Sequence, residues 1–239
     1  MIVDFLAFVA LIVVIIGTHE GGHFVAARLY GVPVRAFAVG LGPVVAQRTD
    51  SRGTAWQIRA IPLGGLVDIE PQILAEVPPL RRAVLYLAGP CVNLAVGASV
   101  LMCLALSHGH GVAFSAAATA ELVGSMGGGL AETIASPSAA DVGGPIAIAE
   151  MAGNAVRDSG VSVAVLVAII SVSVGFLNLL PVPVLDGGQT ILCLVEWLRG
   201  RPPSPSTTKT LNLVGVVFIV SLIVFALGSD LFRIFSVGG

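Results

Sequence analysis

Charge is scarce in this chain. Charged residues make up 11% of the 239 positions against 56% hydrophobic, and mean hydropathy is +0.97. Soluble domains carry about 25% charged residues, so the composition excludes that class and points to an integral membrane protein. The formal net charge is −2, which excludes the basic surface that nucleic-acid binding requires. Cysteine is also scarce. Cys91, Cys103 and Cys193 are odd in number, widely spaced and set among apolar residues, so no disulfide framework is expected and all three read as buried thiols. The N-terminus lacks a basic leader, since Asp4 is the only charge before Glu20, and it lacks a small-x-small cleavage site. The first apolar run therefore reads as a retained spanning helix and not as a signal peptide.

Long apolar runs are abundant. Residues 3–27, 84–106, 161–180 and 211–227 can each cross a bilayer, which takes roughly 20 residues. The expected fold is an all-α polytopic membrane protein forming one domain over 1–239. Gly89-Pro90 lies early in the second span, where it would kink the helix or set its start. Basic residues fix the expected orientation. The first loop holds Arg28, Arg35, Arg48, Arg52, Arg59, Arg81 and Arg82, and the third holds Arg199, Arg201 and Lys209. The second loop has only Arg157 and the C-terminus only Arg233. Loops one and three are thus expected in the cytoplasm, with both termini and loop two outside.

Within loop one, residues 34–39 and 54–61 read as strands around the turn Thr49-Asp50-Ser51-Arg52-Gly53, with further breaks at Gly40-Leu41-Gly42-Pro43 and Pro62-Leu63-Gly64-Gly65. The expectation is a small antiparallel β element over about 34–65 on the cytoplasmic membrane face, or a surface hairpin that merely joins helices. Loop two, about 108–160, is rich in Ala, Gly and Ser. Gly127-Gly128-Gly129 and Ser136-Pro137-Ser138 suggest flexible pieces, and a helix is expected from Pro145, a residue suited to a first turn. Arg201-Pro202-Pro203-Ser204-Pro205 reads as a stiff linker.

His19-Glu20-Gly21-Gly22-His23 interrupts the first span. Ionisable groups at this depth are costly, roughly 2.5–3.5 kcal/mol on insertion scales, and mark function. Positions i and i+4 share a helix face, so both imidazoles can meet one ion while Glu20 reaches a water beside it. This is the pattern of a zinc hydrolase. A catalytic zinc takes three protein ligands and keeps one position open. Asp186, beyond the break Pro181-Val182-Pro183, comes to a similar depth from the third span and is the expected third ligand. Asn178 would donate to an oxyanion, hold substrate backbone, or bond between helices. Asn93 has the same ambiguity and leans toward packing or clamp support. His108 and His110 lie at the outer end of the second span and read as solvated loop histidines.

These residues resemble the site-2 protease family of intramembrane zinc metalloproteases. The resemblance rests on His19–His23 and on Asn178, Pro181, Pro183, Leu185, Asp186 and Gly187. Gly31-Val32-Pro33-Val34, Gly40–Pro43, Ile61–Gly65, Gly89-Pro90-Cys91-Val92-Asn93 and Gly144-Pro145-Ile146 look like its bacterial regulator-of-sigma-E protease branch. The resemblance implies a four-helix core, zinc on His19, His23 and Asp186, and Glu20 as base. It also implies single-pass membrane-protein substrates, such as anti-sigma factors and remnant signal peptides, in a bacterial cytoplasmic membrane. That branch usually carries one or two PDZ domains between the second and third spans. Here only loop two fills the interval, so either a separate protein partner supplies the gate or access is looser. A catalytically silent scaffold and a zinc transporter are the competing readings. The intact Glu20 speaks against the first, and the lack of an internal repeat against the second.

Overall fold

The computed structural model describes residues 2–135 and 144–237, so Ser136, Pro137 and Ser138 lie outside the described residues. Among the described residues ten elements follow in order. They are α1 (Ile2–Leu29), β1 (Ala36–Thr49), β2 (Ala55–Asp68), α2 (Pro71–Glu76), α3 (Pro79–Ser107), α4 (Val112–Ala135), α5 (Pro145–Asp158), α6 (Gly160–Leu179), α7 (Asp186–Arg199) and α8 (Pro205–Val237). Among the described residues α1, α3, α6 and α8 are long and apolar enough to cross a membrane, with mean hydropathy of 2.4, 1.9, 2.5 and 2.6. They cover the four expected spans, with α6 stopping at Leu179, one residue short of the expected end. The last span is much longer than expected, because helix continues from Pro205 through the polar residues before Leu211 and past Leu227. Helix also runs unbroken through Pro90, so Gly89-Pro90 does not start the second span.

α3 lies at the centre, packed on α1, α6 and α7. Small residues allow these approaches. A Cβ on Gly22 of α1 would lie 2.5 Å from the Ala88 carbonyl oxygen, and one on Gly97 of α3 would lie 2.5 Å from Val172 Cγ2 of α6. Lipid tails are as apolar as leucine, so close backbone contact rather than water exclusion drives such association. Leu11, Ile15, Ala152 and Ile170 form a buried cluster joining α1, α5 and α6. A second cluster, with Ala26, Ala27, Val34 and Leu85, closes the end of α1 against α3.

The β element forms, and its pairing has two senses. Phe37 faces Trp56 and Ala38 faces Gln57 in parallel, whereas Gln47–Gln57, Arg48–Trp56, Ala38–Leu66 and Val39–Gly65 pair in antiparallel sense. Both strands therefore bend back, with the expected breaks inside them and not at their ends. Gly40 and Gly64 make those bends at φ 96° and 83°, a region closed to most side chains. Segment 55–58 pairs on both sides, as does 36–39, while 65–68 pairs on one side only and forms an edge. The sheet leans on α1 through Phe24, whose ring centroid is 5.7 Å from Phe37 and 5.1 Å from Trp56. At the turn, the Asp50 carboxylate accepts from the backbone N–H of Arg52 and Thr54 and from the Trp56 indole.

Two expectations need correction. Gly127, Gly128 and Gly129 are helical, inside α4. The alanine-rich sequence around them favours helix, and the missing side chain at Gly127 admits the Phe176 ring of α6, whose Cζ would lie 2.9 Å from a Cβ there. Cys91 and Cys103 are exposed, and only Cys193 is buried. The two exposed thiols sit on α3, a spanning helix whose outer face meets lipid, so an apolar setting did not require protein burial. α5 begins at Pro145 as expected. Its first turn is held by Asp230 of α8, which accepts from the N–H groups of Gly144 and Ile146 at 3.1 and 2.8 Å.

Candidate metal centre

Three side chains from α1 and α7 converge. His19 Nε2 lies 3.2 Å from His23 Nε2. Asp186 Oδ2 lies 3.0 Å from His19 Nε2 and 3.4 Å from His23 Nε2. The histidines share a face because they are one helical turn apart. Asp186 arrives by a different route. α6 ends at Leu179, the chain turns through Pro181 and Pro183, and Asp186 opens α7. The turn is closed by the N–H of Leu185 donating to the Val182 carbonyl at 2.8 Å, and Gln189 donates its side-chain amide to the Pro183 carbonyl. Any side chain at Gly187 or Gly188 would strike that turn, with a Cβ 2.2 Å from the Leu179 oxygen or 2.1 Å from the Val182 oxygen.

The donor set fits zinc. Bonds of 2.0–2.1 Å in tetrahedral array place neighbouring ligand atoms about 3.3 Å apart, close to the three separations here. Although Asp186 Oδ2 is this near both rings, it is buried without an aligned hydrogen bond. An orphaned carboxylate oxygen facing two imidazole nitrogens is costly unless a cation sits between them.

Glu20 lies beside this triangle. With His19, His23, Asp186, Asn178 and Tyr86 it lines a cavity of about 360 Å³, which segment 65–67 and Val184 also border. Gly65 makes room, since a Cβ there would lie 2.7 Å from Glu20 Cγ. The Asn178 amide donates to the Val174 carbonyl at 3.0 Å, and the residue borders the cavity. The structure thus brings His19, Glu20, His23, Asn178 and Asp186 into one site. It leaves His108 and His110 exposed and remote, at the far end of α3.

Of the residues behind the site, the sequence marks Asn93 for packing or clamp support and Gly89 only as a break in the second span, and it does not mark Leu85. His23 Nδ1 lies 2.7 Å from the Leu85 carbonyl. Asn93 is fully buried and lies 3.3 Å from His19 Nδ1. Between them, Gly89 faces both rings. The spacing 85, 89, 93 is the signal that marks this face, because residues four apart align along a helix.

The sequence profile of peptidase family M50 matches residues 7–222. A relative from Rhizobium meliloti, named "Putative zinc metalloprotease", is 24% identical over 360 aligned positions that cover 96% of each chain. Two relatives of the same name, from Lactococcus lactis and Rickettsia conorii, are 39% and 40% identical over 106 and 96 residues. Those shorter matches cover 44% and 40% of this chain, and the chain spans only 25% and 27% of the length of those two relatives.

Proposed function

The chain belongs to peptidase family M50, and from that premise we propose that it is a zinc endopeptidase cutting peptide bonds within the membrane-spanning segments of single-pass proteins. The observation that carries the reading is the meeting of His19, His23 and Asp186 in one cavity with Glu20, the two histidines and the glutamate standing on a helix apolar enough to cross a bilayer. Zinc held by the three ligands would polarise the scissile carbonyl and acidify a water. Glu20 accepts the proton of the attacking water and returns it to the leaving amine. Asn178 offers its free amide hydrogen to the carbonyl oxygen as charge develops there.

A helical substrate hides its peptide bonds, so the cut segment must be extended. Segment 65–68 is an unpaired edge, and Gly65, Leu66 and Val67 border the cavity. An extended substrate can add there as a further strand, its backbone held by main-chain hydrogen bonds. The arginine-rich loops one and three support a cytoplasmic location for this edge, with both termini outside a bacterial cytoplasmic membrane. Anti-sigma factors and remnant signal peptides are the substrates proposed, with gating by a separate partner in place of PDZ domains.

Glu20→Gln tests the reading. Zinc content stays at the wild-type level, cleavage is lost, and uncut single-pass proteins accumulate on the purified variant. Unchanged cleavage by that variant would sink the proposed chemistry, and unchanged cellular function without cleavage would favour a scaffold or transporter.

A further inference from the structure

A histidine that offers Nε2 to a metal must carry its hydrogen on Nδ1, and that hydrogen needs an acceptor. We propose that Asn93 is this acceptor, its side-chain carbonyl holding His19 in the Nδ1–H tautomer. The inference rests on the zinc reading above, and the hydrogens of three neighbouring groups carry it.

The Asn93 amide has two polar neighbours. Its nitrogen is 3.3 Å from His19 Nδ1, and its oxygen is 3.2 Å from Thr18 Oγ1. A half-turn about the last bond of the side chain exchanges oxygen and nitrogen without changing shape, so the count of hydrogens decides which faces which. Thr18 has one hydroxyl hydrogen, and the Ile15 carbonyl at 2.8 Å takes it. Thr18 Oγ1 then offers Asn93 only lone pairs, so the amide nitrogen turns toward Thr18. The amide oxygen turns toward His19 Nδ1. The reverse orientation fails twice. One hydroxyl hydrogen would have to serve two acceptors, and the amide would donate to Nδ1, forcing the imidazole hydrogen onto Nε2, where the metal lone pair is needed.

His23 is governed in the same way, with its Nδ1 against the Leu85 carbonyl, a group that can only accept. Both acceptors come from α3, two turns apart. The Asn93 side chain is itself immobilised, being fully buried, and the backbone carbonyl of the same residue accepts from Ser171 Oγ of α6 at 3.0 Å. Asn93 is therefore a positioning residue that acts through His19 and does not touch the cavity.

Asn93→Leu and Asn93→Asp separate the roles, because leucine accepts no hydrogen bond and aspartate accepts but cannot donate. Zinc affinity is read by chelator competition on purified protein. Wild-type zinc binding judges the metal reading itself, and its absence would overturn both. Given that binding, Asn93→Leu is expected to weaken it by about 10–100-fold, as loss of a ligand's outer partner does. Asn93→Asp is expected to remain within about threefold of wild type, since it keeps the acceptor. Nitrogen-15 resonances of the zinc-loaded wild-type histidines provide a readout independent of any variant's folding, with His19 expected to be protonated at Nδ1. Equal losses in the two variants, undiminished binding in Asn93→Leu, or an unprotonated Nδ1 on His19 would overturn the proposal.

Discussion

Replacing Gly89 by alanine isolates the geometry of the centre from the stability of the helix that supports it. A Cβ at this position would lie 2.3 Å from His23 Nε2, 2.7 Å from His23 Cε1 and 2.9 Å from His19 Cε1. Ordinary contact begins near 3.4 Å, so the His23 ring must withdraw by about 1 Å, whereas metal–ligand bonds tolerate about 0.2 Å. Forcing a methyl into a packed site costs about 1–3 kcal/mol. Charged against zinc binding, that is roughly 5- to 140-fold in affinity at about 1.4 kcal/mol per decade. Helix propensity acts in the opposite direction, since alanine is favoured over glycine by about 1 kcal/mol in a helix interior. The zinc-free protein should therefore melt within a few degrees of wild type while its zinc affinity collapses. Gly21→Ala is the matched control, lying inside the histidine motif with nothing within 4 Å of an added Cβ. Chelator competition and thermal melting in detergent read both effects. If Gly89→Ala binds zinc as tightly as Gly21→Ala, the packing argument is wrong.

Two further outcomes test the surroundings of the site. Donation from the Trp56 indole, then from the Thr54 backbone, holds the Asp50 carboxyl below its ordinary value. A carboxyl depressed by folding lends stability above its unfolded pKa of about 3.9 and loses it as pH falls through the lower folded value. Trp56 fluorescence in a Trp197→Phe background should change across that acid window, and Asp50→Asn should abolish the transition. Asp230→Ala leaves the N–H groups of Gly144 and Ile146 without their acceptor, a loss of about 1–3 kcal/mol. It should appear as a lower melting temperature and faster amide exchange at the start of α5, with zinc content unchanged.

The residues of the candidate site were legible because each violates its surroundings. His19, Glu20 and His23 are polar inside an apolar helix, and Asp186 follows a double-proline break that ends another. Hydropathy alone located the four spans, since nothing but a bilayer suits twenty consecutive apolar residues. α4 was not legible. Its glycines, Gly127 to Gly129, read as flexible when considered locally, and the packing against α3 and α6 that makes it helical is not a property of the segment itself. The sheet was half legible: the turn at Thr49–Gly53 and the glycine and proline breaks bracketed two strands, but a bend such as that at Gly40 reverses the chain within a strand and creates pairings that no linear pattern encodes.

The division between legible and hidden follows the two kinds of work a metal site requires. Donating electrons takes specific atoms, so ligands are confined to a few residue types and show in any sequence. Holding those donors takes shape and a single acceptor, and here the Leu85 carbonyl, the missing side chain of Gly89 and the Asn93 amide do it. A backbone carbonyl belongs to every residue and an absent side chain has no chemistry, so neither advertises a role. Asn93 is marked by its polarity within a span, but its partner, and the parts played by positions 85 and 89, become readable only once α3 is laid across α1 and the three positions fall beneath two imidazoles. The zinc geometry of this chain is therefore a property of the contact between α1 and α3, and mutations that part these helices should cost metal before they cost fold.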